Sequence, residues 1–127
     1  MGQMNYLLDT NVVIDYTNDM LPEKSAALIE SNPSRISVIT RMELLSWKKS
    51  TQEQFEILNS FIEDSIVYDL VEPVILNAIL IRRNYNVKLP DAIIAATAIV
   101  YGLTLQTRNI SDFSNIPDLS IINPHQV

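Results

Sequence analysis

The 127 residues suit one compact domain, which we expect to span residues 1–127. Hydrophobic residues make up 47% of the chain, enough for one core, and the lack of cysteine excludes disulfides, thiolate metal sites and cysteine nucleophiles. Nine basic and fifteen acidic side chains give a net charge of −6, which argues against a free-standing nucleic-acid binder of the usual basic kind. Acids that gather in one pocket and hold divalent cations would instead attract phosphate, so the charge leaves the partner open.

The sequence gives no sign of a membrane protein. No apolar run approaches the ~20 residues that span a bilayer, and no charged and apolar leader opens the chain, so we expect no signal peptide and no membrane partner. The lack of cysteine also agrees with a reducing compartment. We therefore expect a cytoplasmic protein.

The first half of the chain alternates strands with helices. Residues 5–8 (NYLL) are predicted to form a buried strand, and the helical spacing that follows places an N-cap at Thr10 or Asn11. A second helix is predicted over residues 21–30, with Pro22 at its start and Pro33 after its end. Residues 35–39 (RISVI) are predicted to form the second strand.

Capping signals follow that second strand. Thr40 is predicted to cap a helix over residues 41–49, with Glu43 at its third position completing a capping box. Ser50 or Thr51 is expected to cap the helix after it. The strand-to-helix junction at Thr40 therefore places an acid one turn beyond the end of a strand.

The second half of the chain continues the alternation. The predicted elements are a strand at 65–70, helices at 73–84 and 91–101, and strands at 103–107 and 119–122. Pro90 suits the first turn of the helix 91–101 and Gly102 suits its end. This helix is apolar almost all round, which is typical of a helix buried in a core.

Strands that alternate with helices from end to end predict an α/β fold. Such a chain builds a parallel sheet with helices on both faces. We therefore expect a three-layer α/β/α sandwich with a mostly parallel central sheet.

Four acids are expected to meet at one edge of this sheet. Asp9 follows the first strand, Glu43 follows the second, and Asp112 follows the fourth, while Asp91 lies in the first turn of the buried helix. Ligands of open α/β sheets bind outside the carboxyl ends of the strands, and right-handed crossovers bring that helix end to the same side. The topology therefore places four carboxylates together.

Each acid also has an ordinary structural interpretation. Asp9 could cap a helix, Glu43 could complete a capping box, Asp91 could complement a helix dipole, and Asp112 could close a turn. A cluster of all four is different, because like charges repel and persist together most readily around a divalent cation. Oxygen ligands without histidine or cysteine suit Mg²⁺ or Mn²⁺.

This ligand set indicates hydrolysis of phosphodiesters. A carboxylate-bound Mg²⁺ activates water and binds phosphate oxygens without a protein nucleophile. The single histidine, His125, lies near the chain end and is expected to be a solvated residue rather than a general base. Asp15, further along the first helix, is given a structural role.

Four segments resemble, in chain order, the signature segments of PIN-domain ribonucleases, and most closely those of VapC toxins from bacterial and archaeal toxin–antitoxin pairs. They are residues 7–15 (LLDTNVVID), 37–45 (SVITRMELL), 89–98 (LPDAIIAATA) and 105–113 (LQTRNISDF). The resemblance covers nearly the whole chain. It implies a Mg²⁺- or Mn²⁺-dependent endoribonuclease that forms a homodimer and is inhibited by a VapB-like antitoxin.

The resemblance also implies site roles. Asp9, Glu43 and Asp91 match the metal-binding acids of the family. Many members place an aspartate at the position of Asn109, so Asp112 is chosen here as the fourth catalytic ligand, with Asn109 as a hydrogen-bonding or outer group. Supporting residues expected to orient ligands or waters are Thr10, Asn11 and Thr107.

Cations near this edge are candidates for holding RNA. Arg41 and Arg108 are the predicted RNA-binding residues, whereas Lys48 and Lys49 are expected to be ordinary solvated side chains.

Three other interpretations have different residue requirements. A haloacid-dehalogenase-like enzyme needs a second aspartate where this chain has Asn11, and a receiver-type signalling domain needs paired acids and a late lysine that are missing here. A PIN-fold binding module without catalysis is the alternative closest to the nuclease. The loss of one expected acid would indicate it, and all the expected acids are present.

Overall fold

The computed structural model describes residues 5–127, in which five short strands alternate with helices. The strands are β1 (Tyr6–Leu8), β2 (Arg35–Ser37), β3 (Ile66–Tyr68), β4 (Thr104–Gln106) and β5 (Ile121–Ile122). The helices are α1 (Thr10–Thr17), α2 (Glu23–Glu30), α3 (Val38–Leu45), α4 (Gln52–Glu63), α5 (Glu72–Asn84), α6 (Leu89–Tyr101) and α7 (Ile110–Phe113). A 3₁₀ turn, Pro124–Gln126, follows the last strand.

All three strand pairings are parallel. β4 pairs with β1 on one side and β5 on the other, and β2 pairs with β3. β1 also lies beside β2, although the two hydrogen-bonded ladders are separate. The strand order across this layer is therefore β3-β2-β1-β4-β5, and every carboxyl end points to the same edge.

Helices cover both faces of the strand layer. Neighbouring residues of a strand point to opposite faces, and the two leucines of β1 accordingly join different cores. Leu7 packs in a core with α5, α6 and α7, whereas Leu8 packs in a second core with α1, α2, α3 and α4. The predicted three-layer α/β/α architecture is confirmed.

Helix α6 lies deep in the first core, as its composition predicts. Seven consecutive residues from Ala92 to Ala98 are buried, so one stretch of nearly two turns has no solvent face. The helix ends at Gly102, whose φ of 66° lies in the left-handed region that glycine adopts without strain. This buried placement holds the N-terminus of α6, with Asp91, at the sheet edge.

Two predicted helix caps are wrong. Asp9, rather than Thr10 or Asn11, is the N-cap of α1. Ser37, rather than Thr40, caps α3 through a bond from the Ile39 amide to the Ser37 hydroxyl, so Glu43 lies within the helix and forms no capping box. Only Asp9 separates β1 from α1, and α3 begins directly after β2, so each cap lies closer to the strand than predicted.

The Thr51 cap is confirmed, with Gln54 completing a capping box.

Each strand is shorter than predicted because only two or three residues align with a neighbour. Helix α7 and the 3₁₀ turn were not predicted, since four and three residues are too few to show a periodicity. Within residues 5–127, no helix has both the length and the apolar composition of a membrane span.

Candidate metal centre

Four acids reach the carboxyl edge of the sheet from four different elements. Asp9 lies at the junction of β1 and α1, Glu43 on α3, Asp91 in the first turn of α6, and Asp112 on α7. Thr10 contacts both Asp9 and Glu43, Asp91 and Asp112 line one cleft, and the negative charges of the other three acids all raise the pKa of Asp91. Together they form the acidic rim.

Asp9 is the most firmly held member of the acidic rim. Its side chain is buried, with Oδ1 accepting from the Thr10 amide at 2.8 Å and Oδ2 accepting from Asn11 Nδ2 at 2.9 Å and Thr107 Oγ1 at 2.7 Å. Burial raises the pKa of Asp9, and these three hydrogen bonds oppose that rise because they favour the charged form. The donors thus hold a buried carboxylate in one orientation.

Glu43 is held by a pair of threonines. The Thr10 hydroxyl lies 2.6 Å from Glu43 Oε1 and 3.0 Å from the hydroxyl of buried Thr40. A hydroxyl carries one proton, so Thr10 donates to the carboxylate and accepts from Thr40. Thr40 therefore supports the acid through Thr10 rather than capping its helix.

Asp91 experiences the strongest repulsion. Its pKa is raised to about 6, first by partial burial and then by the charges of Asp9, Asp112 and Glu43, while the nearby ammonium of Lys88 lowers it. An acid in such surroundings favours either a proton or a cation. The acidic rim therefore has the electrostatic character of a cation-binding site.

The donor chemistry of the acidic rim fits Mg²⁺ or Mn²⁺, since it offers carboxylate oxygens without histidine or cysteine. In the described part of the chain, no three metal-ligating side chains are already grouped closely enough to hold an ion together. The acids thus share an edge and repel one another without closing around one point. Mg²⁺ tolerates this arrangement, because it keeps several of its waters and needs only a few direct carboxylate bonds.

The predicted supporting residues lie beside the acids. Asn11 and Thr107 contact Asp9, and Thr10 contacts both Asp9 and Glu43. Asn109 takes part through its backbone, whose amide donates to Thr107 Oγ1 at 3.0 Å. Asn109 is thus placed to hold the loop that carries Thr107, and its role toward a ligand remains a prediction.

The expectation that His125 is a solvated residue is wrong. His125 Nε2 lies 2.8 Å from Asp15 Oδ2, and its side chain is only 31% exposed. Asp15 itself is buried and also accepts from Arg108 Nη1 at 3.0 Å. The 3₁₀ turn folds back over α1 and brings the histidine to this aspartate. His125 is therefore half-buried although it lies near the end of the sequence.

The two predicted RNA-binding arginines differ in their freedom. Arg41 is exposed on α3, whereas the Arg108 guanidinium is bound by Asp15 while half of its side chain remains exposed. The backbone amide of Arg108 also donates to Asn11 Oδ1 at 3.1 Å. Arg108 therefore ties the loop after β4 to α1, and RNA binding by either arginine stays a prediction.

Sequence reasoning missed the network of Asp15, Arg108 and His125 and the support given by Thr40. Asp15 follows three apolar residues of α1, and a charge buried among such residues needs a partner. The sequence held no signal for which cations its partners would be. Both come from positions more than ninety residues away.

The fold and the acidic rim define the class of protein. The family model described as the PIN domain matches residues 6–119. The chain therefore belongs to the PIN-domain family, as the four sequence segments indicated. No curated protein sequence shows significant similarity to it.

Solved structures similar to this chain come from toxin–antitoxin complexes. A chain of a toxin–antitoxin complex from Klebsiella pneumoniae is 31% identical, with a TM-score of 0.76 and coverage of 97% of this chain and 100% of that one. A chain of DNA-bound VapBC from Salmonella typhimurium is 28% identical, with a TM-score of 0.82 and coverage of 94% and 98%. A chain of VapBC2 from Rickettsia felis, bound to a promoter DNA fragment, is 26% identical, with a TM-score of 0.80 and the same coverage.

Proposed function

We propose that this protein is a Mg²⁺- or Mn²⁺-dependent endoribonuclease and the VapC-type toxin of a toxin–antitoxin pair. The observation that carries the proposal is the acidic rim, in which four acids from distant parts of the chain share the carboxyl edge of the sheet. Family membership supports the same activity. The catalytic and metal-binding residues proposed are Asp9, Glu43, Asp91 and Asp112.

Each acid has a role that follows from its surroundings. Asp9 supplies a fixed oxygen, because three donors leave it no freedom to turn. Glu43 is oriented by Thr10, and Asp91 and Asp112 are the less constrained members that adjust to the ion. When bound, the ion would lower the pKa of a water and neutralise charge on the phosphodiester.

The rim also sets the attraction for RNA. Without a cation, its carboxylates repel phosphate, so the free acidic protein should bind RNA weakly. With a cation bound, that local charge is reduced or reversed. Metal and RNA are therefore expected to bind in a cooperative manner.

We further propose a VapB-like antitoxin as partner, supported by the similarity to chains of VapBC complexes. A groove of about 540 Å³ between α1, α2 and α4 is lined by an aromatic pair, with the ring centroids of Tyr16 and Phe61 5.8 Å apart. Its charged lining residues are all acidic, namely Asp19, Glu23, Glu30 and Asp64. This chemistry suits a partner segment that carries both basic and apolar side chains.

A homodimer is supported by an apolar face on α5. Leu76, Ile79 and Leu80 share one side of the helix and are 54%, 49% and 58% exposed. Exposed apolar side chains that adjoin one another are typical of an interface. We propose this face as the centre of the contact between two copies.

The proposal is tested by cleavage of total cellular RNA with purified, antitoxin-free protein in Mg²⁺, Mn²⁺ or EDTA. Wild type should give discrete cuts that EDTA abolishes, and Asp9→Asn or Asp91→Asn should slow them by roughly 100-fold or more. Asp118→Asn is the matched control, because Asp118 is exposed at the opposite edge of the sheet. A folded wild-type protein that shows no metal-dependent cutting would favour the binding module without catalysis.

A further inference from the structure

A second cleft opens beside the acidic rim, with a volume of about 530 Å³. Asp91 and Asp112 line one part of it. The rest is lined by the end of α5, the connection to α6 and the region of α7, including Arg82, Tyr85 and Lys88. The α5–α6 cleft therefore begins where the proposed metal centre ends.

Two cations line the α5–α6 cleft and have different roles. Arg82 Nη1 donates to the Val87 carbonyl at 2.8 Å, which ties the connection between the helices to the end of α5. Lys88 is exposed, and no carboxylate within residues 5–127 forms an ion pair with it. Arg82 is likewise outside any ion pair of the described residues, but one of its donors is used on the backbone, whereas the Lys88 ammonium is fully free for a ligand.

Lys88 also lies near Asp91. It is the N-cap residue of α6, three positions before Asp91. Its ammonium acts on the Asp91 carboxylate without forming an ion pair with it. A phosphate could therefore reach Lys88 while the neighbouring phosphodiester lies at the acidic rim.

The remaining walls offer groups that recognise an unpaired base. The exposed amides of Asn84, Asn86 and Asn115 supply both donors and acceptors, and half-buried Tyr85 supplies an aromatic surface. Proteins read RNA chiefly in single strands, whose bases are free to stack on aromatic side chains and to bond through their edges. A cleft of this size lies in the range of small-ligand sites, about 300–1,000 Å³.

We propose that the α5–α6 cleft receives an unpaired nucleotide of the RNA next to the bond that is cut, and that Lys88 binds its phosphate. The inference rests on the proposed nuclease function and adds the path of the substrate. It places the RNA against the connection of α5 and α6, whereas the sequence pointed to Arg41 and Arg108. Lys88 acts as a substrate-binding residue and takes no part in the bond-breaking step.

The test compares Lys88→Gln, Lys88→Arg and Lys24→Gln, the last being a matched control at an exposed position of α2. The probes are a fluorescein-labelled single-stranded RNA of twelve nucleotides and the same strand annealed to its complement. Binding is measured by fluorescence anisotropy in EDTA over a range of salt, and cleavage is measured with saturating Mn²⁺.

Lys88→Gln should weaken binding of the single strand roughly five- to tenfold and reduce the slope of log affinity against log salt by about 0.7. In cleavage, KM should rise with little change in kcat, because the contact is made equally before and during reaction. Lys88→Arg should recover most of the loss, and Lys24→Gln should resemble wild type. Wild type should cut the single strand faster than the duplex.

Equal binding and KM for Lys88→Gln and Lys24→Gln, in a wild type that cleaves RNA, would overturn this inference and leave the nuclease function standing. Preference for the duplex would overturn it as well. Failure of wild type itself to cleave would count against the proposed function, and the anisotropy series would still decide whether Lys88 binds RNA.

Discussion

Burial and the neighbouring acids change how Asp91 binds a proton. Its pKa of about 6 in the folded protein stands above the ordinary 3.8, so the folded state keeps a proton that the unfolded state has lost over the interval between these values. The free energy of unfolding of the metal-free protein should therefore fall as pH rises from about 4 to about 6. Above about pH 6 the carboxylate is charged in both states, and its full destabilising effect on the folded state is present.

Asp91→Asn should remove this penalty. In EDTA at pH 7 the variant should be more stable than wild type, by on the order of 1 kcal/mol after allowance for the solvent exposure of the side chain. At pH 4 the two proteins should have similar stability. Urea unfolding at both pH values measures this, with Asp118→Asn as control. If Asp91→Asn proved less stable than wild type at pH 7, that result would contradict the repulsion.

Asp15 shows how one buried charge joins three segments. It binds Arg108 after β4 and His125 in the 3₁₀ turn, while its own backbone belongs to α1. Asp15→Asn keeps the shape and removes the charge, so it should lower the free energy of unfolding by about 1–3 kcal/mol. A double-mutant cycle with Arg108→Gln should show a coupling energy, since each substitution removes the same contact.

The exposed residue Glu63, at the end of α4, provides the control for that cycle. Glu63→Gln should change stability by less than about 0.5 kcal/mol. Additive effects of the Asp15 and Arg108 substitutions would show that their contact contributes nothing to stability.

At the scale of elements, α6 illustrates what periodicity predicts well. Its residues from Ala92 to Val100 are apolar except Thr97, which predicts its burial, and Pro90 and Gly102 mark its two ends. Strand lengths were harder to predict, because they depend on which residues of a neighbouring strand align. Ser37 is a case in point, since it ends β2 and caps α3 at once.

The apolar face of α5 gives a prediction at the same scale. Leu80→Glu should convert a dimeric wild type into a monomer, because it buries a charge at the proposed contact. Sedimentation equilibrium measures the change. Met20→Glu, at an apolar residue 62% exposed after α1, should leave the dimer intact. A wild type that is monomeric at all concentrations would contradict the proposed interface.

At the scale of the whole molecule, the metal should couple to folding. The acidic rim joins segments from residue 9 to residue 112, so it exists only in the folded chain. An ion that binds this state alone adds about 2.7 kcal/mol to stability at a hundred times its Kd. Mn²⁺ should therefore raise the Tm of wild type.

Asp9→Asn should lose most of that rise in Tm, as measured by differential scanning calorimetry, while Asp118→Asn should keep it. An equal rise in wild type and Asp9→Asn would indicate diffuse binding of Mn²⁺ to the acidic surface rather than to the rim. The measurement does not depend on RNA cleavage, so it tests the metal centre separately from the reaction.

The sequence by itself determined the α/β architecture, the buried α6 and the edge at which Asp9, Glu43, Asp91 and Asp112 collect. These follow from local periodicity and from the rule that parallel strands end at one edge. The tertiary structure alone decided that Thr107 holds Asp9, that His125 reaches Asp15, and that Lys88 faces a cleft beside Asp91. Such contacts join residues up to 110 positions apart, and their distances depend on how complete elements pack, which no local pattern contains.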